Sequence, residues 1–201
     1  GQAVGDAVGL ATEFMSKEMA HAFYTGRLSY DHFLLDRHRS RWMDAAFRCG
    51  DWTDDTDQTI LILDSLVANG GKASARDFAL RCRYWVHNGF TELGDFMGLG
   101  TGANFSAVVE SKDFLKSPHA ASERVWRDGK CSSAANGAVM RTSVAAVPFF
   151  WDAKEAVRNA LTFCKVTHYD PRCQASVAVV VHLLALMLQG RTDVEAMLGE
   201  A

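Results

Sequence analysis

Apolar residues recur at intervals of three and four along most of the chain, the spacing that lines one face of an α-helix. Val4, Val8, Ala11, Met15 and Met19 form such a stripe and predict one continuous first helical segment. A second helix is predicted from about Asp54 to Ala68, ended by Asn69-Gly70-Gly71, a good C-terminal stop. Phe78, Cys82, Trp85 and Val86 mark a third. Further helices are expected near 119–127, 137–147, 152–166, 170–189 and 192–199, with Pro171 suited to the first turn of its helix. One long glycine-bearing loop covers about 88–105. No stretch alternates apolar and polar residues long enough to predict a strand, and no internal repeat or low-complexity linker interrupts the pattern.

The final third is the most apolar. A helix over 175–188, apolar on all sides, is expected to be surrounded by other helices. Ser176 and His182 break the run, which falls short of a bilayer span. His182 reads as a core histidine with its hydrogen bonds satisfied.

Size and charge narrow the class. A chain of 201 residues and 22.1 kDa would fold to ~9,300 Å² from roughly 32,000 Å² unfolded, enough to bury one sizeable core in a single domain over 1–201. A hydrophobic fraction of 48% with 22% charged residues excludes a disordered or collagen-like chain. The net charge of −3 offers no excess to neutralise a phosphate backbone, so a nucleic-acid partner is not expected. Arg37–Arg41 and the pair Arg81 and Arg83 read as solvated helix faces. Cys49, Cys82, Cys131, Cys164 and Cys173 include no C-x-x-C pair and read as reduced, mostly buried thiols of a cytoplasmic protein. No signal peptide or membrane partner is expected, and nothing in the pattern fixes an oligomeric state.

Four segments stand out chemically. In Gly50-Asp51-Trp52-Thr53-Asp54-Asp55-Thr56-Asp57, four aspartates fall within seven residues, with Thr53 placed as the N-cap. Acids at a helix N-terminus stabilise it. Four together repel one another, and a hard cation held by oxygen ligands would relieve that repulsion. Both readings stand. In the first segment, Gly5 and Gly9 would permit close approach of another helix, and Asp6 and Glu13, seven apart, would share one face among apolar neighbours. In Ser132-Ser133-Ala-Ala-Asn136-Gly137-Ala-Val-Met140-Arg141, Asn136 is a good N-cap and the open helix start at Gly137 could hold an anion. The Gly98-Leu-Gly100-Thr-Gly102 loop could likewise cradle a phosphate, although it lacks the strand and spacing of a dinucleotide fingerprint. His168 lies in the helix connection Thr167-His168-Tyr169-Asp170-Pro171-Arg172.

In this order the segments resemble the ADP-ribosylglycohydrolase family. The matching stretches are GQAVGDAVGLATEF (1–14), GDWTDDTDQTI (50–60), GFTELGDFMGLGTG (89–102), AANGAVMRT (134–142) and VTHYDPRC (166–173). The resemblance runs over nearly the whole chain. It implies an all-α, orthogonal multi-helix bundle with a Mg²⁺ centre, Mn²⁺ being the alternative ion, and removal of ADP-ribose from modified protein side chains or related conjugates. Thr53, Asp54 and Asp55 match the family's first metal motif, with Asp55 and Asp54 as catalytic carboxylates. Glu13 matches an acid beside the metal site in some members and is the third catalytic candidate. Ser133, Asn136, Gly137 and Met140 match the stretch that contacts distal ribose and phosphates, His168 a ligand-contacting histidine, and Gly98, Gly100 and Gly102 a loop along the diphosphate.

The family's second metal motif, Asp-x-Asp-Thr, has no match after residue 173, where Arg191-Thr192-Asp193-Val194-Glu195 is the nearest stretch. Together with the apolar helix 175–188, this suggests a member incomplete at its C-terminus. The resemblance therefore also admits an ADP-ribose-binding module, or a non-catalytic structural relative.

Overall fold

Four of the helices begin at a capping side chain. The computed structural model describes residues 1–24, 47–48 and 50–200. Among these residues it contains nine α-helices and no strand: α1 (Gln2–Gly9), α2 (Lys17–Phe23), α3 (Asp54–Ala68), α4 (Ala75–Asn88), α5 (Ala103–Val109), α6 (Pro118–Asp128), α7 (Ala153–Thr167), α8 (Pro171–Leu188) and α9 (Val194–Glu200). The protein is all-α, as expected. Ser16, Ser74, Asp152 and Asp170 precede α2, α4, α7 and α8, and each accepts a backbone N–H from the first turn, supplying partners to N–H groups that the helix itself leaves open. Pro171 opens α8 as predicted. Arg37–Arg41 and Cys49 lie outside the described residues.

The chain divides into two compact units, Gly1–Asp57 and Gln58–Ala201. In the first, the continuous helix predicted through Val4, Val8, Ala11, Met15 and Met19 is broken. A 3₁₀ turn over Leu10–Thr12 follows α1, Glu13 is extended, and Phe14 takes a left-handed φ of 57°. Ser16 then restarts the chain, its hydroxyl accepting from Met19 N at 3.2 Å. That side chain competes with helix continuation for the backbone. Neither α1 nor α2 buries a residue; Leu10, Ala11 and Tyr24 are buried instead, while Val4 and Met19 are exposed.

The second unit holds the aromatic core. Phe78 of α4 meets Phe163 of α7 edge-on at 5.2 Å, and Trp85 meets Phe105 of α5 at 6.0 Å. The helix predicted over 137–147 is instead two 3₁₀ segments, Asn136–Arg141 and Ser143–Ala146. Ala135, not Asn136, holds the cap position, and it makes no side-chain bond. Gly137 and the β-branched Val139, Thr142 and Val144 give this stretch low helical propensity. The loop expected over 88–105 contains a 3₁₀ turn at Thr91–Leu93 and yields to α5 at Ala103. Arg81 pairs with Asp77 at 2.8 Å. Arg83 is drawn inward rather than solvated: its guanidinium lies over Phe114 and donates to the Val109 and Ser111 carbonyls.

α8 departs from expectation in three ways. It buries one stripe (Cys173, Val177, Val181, Ala185 and Leu186) and packs on α7, both 3₁₀ segments and α9. Met187 and Leu188 remain exposed, so the described residues do not surround it. At 18 residues and a mean hydropathy of 1.6 it is long and apolar enough to cross a membrane, because the helix extends the apolar run back to Pro171; a core helix meets the same test. His182 is half-buried, and its Nε2 has no hydrogen-bond partner. Of the described cysteines, Cys82, Cys164 and Cys173 are buried free thiols and Cys131 is exposed.

Candidate functional site

In the first unit, the start of α3 is fixed from both ends. Thr53 acts as the N-cap: its carbonyl accepts from Asp57 N at 3.2 Å and its hydroxyl from Asp55 N at 3.3 Å. Asp6 of α1 completes the cap. Its Oδ1 accepts from Thr53 Oγ1 at 2.8 Å, and its Oδ2 accepts from Thr53 N (3.0 Å), Thr56 N (3.1 Å) and Thr56 Oγ1 (2.6 Å). One carboxylate therefore supplies charge-assisted acceptors to two backbone donors and two hydroxyls. It also sits at the positive end of the α3 dipole.

The four aspartates divide their tasks. Asp51 accepts from Trp52 N at 3.0 Å and Arg48 N at 3.2 Å, and Asp57 accepts from the Trp52 indole at 2.7 Å. These two relieve by hydrogen bonding the repulsion that the sequence assigned to all four. Asp54 is buried. Asp55 faces a cleft of about 360 Å³ lined by Asp6, Glu13, Thr53, Gly5 and Gly9, among others. A Cβ at Gly5 or Gly9 would meet nothing within 4 Å among the described residues, and both glycines line the cleft. Asp6 and Glu13 share the cleft, but through the break after Thr12 rather than along one helix. Glu13 is exposed, not buried among apolar neighbours.

Burial raises the Asp55 pKa above the ordinary carboxylate range, and the Asp6 charge adds to the shift. A cation beside Asp55 would oppose both effects. The donor set is all oxygen, as a hard ion requires. Thr53, Asp55 and Glu13 could share Mg²⁺, which keeps most of its waters and needs only one or two carboxylates. Among the described residues, no group of three His, Cys, Asp or Glu side chains is placed to hold a metal ion by itself. Asp54 is not among the residues lining the cleft.

The second unit brings His168 and Gly137 together. His168 is 3% exposed. A Cβ on Gly137 would fall 2.9 Å from both His168 Cε1 and Nε2, so only glycine leaves room for the imidazole edge. On the opposite edge, His168 Nδ1 lies 2.8 Å from Thr167 Oγ1, which accepts from Arg141 Nη2 at 2.6 Å. Arg141 is fully buried; it donates to Gln58 Oε1 at 2.5 Å and lies over the Phe78 and Phe105 rings. Burial and the Arg141 charge push the His168 pKa down to about 3, so the ring is neutral. Met140 and Ser133 are half-buried, and Asn136 is exposed. The expected capped α-helix start at Asn136 is instead a 3₁₀ start with no side-chain cap, which still leaves its first N–H groups without partners inside the helix.

In the glycine loop, a Cβ at Gly98 would fall 2.7 Å from the Trp85 indole, so packing explains this glycine. Gly100 has φ +80°, which a side chain would strain, and Gly102 is open.

The sequence model of one protein family, described as ADP-ribosylglycohydrolase, matches residues 1–201. The chain belongs to the ADP-ribosylglycohydrolase family. No curated protein matches it. Membership supports a glycosidic-bond hydrolase acting on ADP-ribose-containing substrates. Of the residues that the family resemblance singled out, Thr53, Asp55 and Glu13 share one cleft, and His168 and Gly137 are in contact. Arg141 and Thr167, which support His168, escaped functional assignment from sequence, and Asp6 was singled out with Glu13 but not as the cap of the acidic turn. All of them stand within the recognised stretches, but partners 26 and 47 residues apart in sequence leave no periodic signal.

Proposed function

We propose that this protein is a Mg²⁺-dependent hydrolase that removes ADP-ribose from modified protein side chains or related conjugates, cleaving at C1″ of the distal ribose. What carries the reading is Asp55, held by the Asp6–Thr53 cap with its carboxylate in a cleft beside Glu13. Thr53, Asp55 and Glu13 would hold the ion. When bound, Mg²⁺ supplies charge that orients sugar hydroxyls and lowers the pKa of bound water. The departing bond should pass through an oxocarbenium-like state, as in other glycosides. Asp55 would accept the proton of the attacking water. Gly137 and His168 would contact the ribose or phosphate oxygens, with Ser133, Asn136, Met140 and the Gly98–Gly102 loop along the same moiety. Remote contacts of this kind orient the reacting carbon. Asp54, being buried and absent from the cleft lining, would support the turn rather than touch substrate.

A second reading has its own support. Among the described residues, no group of three His, Cys, Asp or Glu side chains is placed to hold a metal ion. This favours a module that holds ADP-ribose without turnover. Calorimetry with ADP-ribose, paired with a hydrolysis assay in Mg²⁺, separates the two. Turnover that Asp55→Asn abolishes supports the hydrolase; Mg²⁺-independent binding without turnover supports the module.

A further inference from the structure

The donors and acceptors around His168 favour one proton arrangement. A guanidinium has only N–H groups and stays charged, so Arg141 must donate to Thr167 Oγ1. The Thr167 hydroxyl has one proton, and its other partner among the described residues is His168 Nδ1, at 2.8 Å. With no competing acceptor, that proton points to Nδ1. Nδ1 is then an acceptor, and a neutral imidazole must carry its own proton on Nε2. Nε2 lies on the edge that faces Gly137, and no group among the described residues accepts from it. The side chain is only 3% exposed, but Nε2 is not a fully buried atom, so water or a ligand oxygen can accept from it at this edge.

We propose that Arg141 and Thr167 are positioning residues that lock His168 as the Nε2–H tautomer, presenting a fixed hydrogen-bond donor at Gly137 to an acceptor oxygen of the ligand. The ligand half rests on the proposed ADP-ribose reading; the tautomer half does not. Arg141 acts as the fixed end of a relay. It cannot turn into an acceptor, and its burial over two aromatic rings keeps it from swinging away. Thr167 transmits the constraint, because its hydroxyl is both acceptor and donor. Gly137 leaves the donating edge uncovered. A donor whose direction is set before binding costs less to order than a free histidine would. A neutral donor also serves over a wider pH range than an ordinary imidazole, because it does not depend on gaining a proton.

The test is imidazole ¹⁵N–¹H NMR of the ligand-free, uniformly labelled protein, with His168 signals assigned by their loss in His168→Gln. The expected pattern is a protonated Nε2 and an unprotonated Nδ1. Thr167→Ser should keep that pattern and Thr167→Val should lose it, with circular dichroism reporting the fold of each. A proton on Nδ1, a cationic ring, or an unchanged pattern in folded Thr167→Val would overturn the proposal. If Thr167→Val does not fold, the wild-type pattern and Thr167→Ser still decide. ADP-ribose titration tests the ligand half: roughly tenfold weaker binding is expected for Thr167→Val, about one hydrogen bond, with Thr167→Ser near wild type. Equal affinity in folded Thr167→Val overturns the donor role while leaving the ADP-ribose reading intact. Failure of the wild-type protein to bind ADP-ribose overturns that reading and the ligand half with it, while the spectrum alone decides the tautomer.

Discussion

Thr56 Oγ1 donates to Asp6 Oδ2 at 2.6 Å, across 50 positions of sequence. This bond and its three companions make Asp6 the anchor of the acidic turn. Without it, the N–H groups of Thr53 and Thr56 lose their acceptor and the Asp55 backbone its reference. Asp6→Ala is expected to lower stability by roughly 2 kcal/mol, the scale of a lost helix cap with charged hydrogen bonds. Chemical denaturation followed by circular dichroism measures it. A loss below about 0.5 kcal/mol would mean that the turn holds itself.

Asp55 should show opposite signs in stability and activity. Its carboxylate is partly desolvated and faces the Asp6 charge. Asp55→Asn removes that unfavourable charge and is expected to stabilise the Mg²⁺-free protein by roughly 0.5 kcal/mol after solvent screening. The same change should cut ADP-ribose hydrolysis by at least about 10²-fold. Denaturant midpoints and product release by chromatography read the two effects on one preparation. A destabilised, fully active variant would assign Asp55 to the scaffold.

Gly98 should tolerate no side chain. The added Cβ of Gly98→Ala would stand 2.7 Å from the Trp85 indole, which is itself 1% exposed and packed on Phe105. Overpacking of this kind costs about 1–3 kcal/mol. Gly102→Ala, with open space around it, should change stability by less than about 0.5 kcal/mol. Thermal melts of both variants test the contrast.

His168 should contribute to acid sensitivity. Its pKa is pushed down to about 3 in the folded protein, by burial first and the Arg141 charge second; an unfolded histidine titrates near ~6.5. Between those values the unfolded chain binds a proton that the folded one refuses, so stability falls as pH drops through this window. His168→Gln removes that term and should flatten the dependence of denaturant midpoint on pH between ~6.5 and ~4. His119, whose pKa is also lowered by burial, adds a slope of the same sign that remains in the variant. Identical slopes in the two proteins would place His168 in solvent.

The sequence carried the helices whose apolar stripes lie over a buried partner. Phe78, Cys82 and Trp85 are all 0–1% exposed on α4, where their spacing put them. It misled where local hydrogen bonding overrode the stripe. Ser16 restarts the chain between Met15 and Met19, and Arg141, anchored among Phe78, Phe105 and Gln58, belongs to a 3₁₀ segment rather than an α-helix. At the site, local composition flagged Thr53 as cap and the four aspartates together as a candidate cation site, and the family resemblance picked out Asp54 and Asp55. Composition could not separate Asp55 from Asp51 and Asp57, because their different partners, a cleft, two backbone amides and an indole, exist only once the turn has folded. The pairing of Gly137 with His168 was hidden for the same reason: thirty-one positions separate them, and only the folded second unit brings ring and glycine into contact.

The most direct measurement is release of free ADP-ribose from an ADP-ribosylated protein by this chain, followed by chromatography in excess Mg²⁺ and again after chelation. Release in Mg²⁺ that falls to background with chelator, and is absent from folded Asp55→Asn, is the predicted result. Equal release with and without the ion, or by Asp55→Asn, would contradict a cation-dependent role for the acidic cleft.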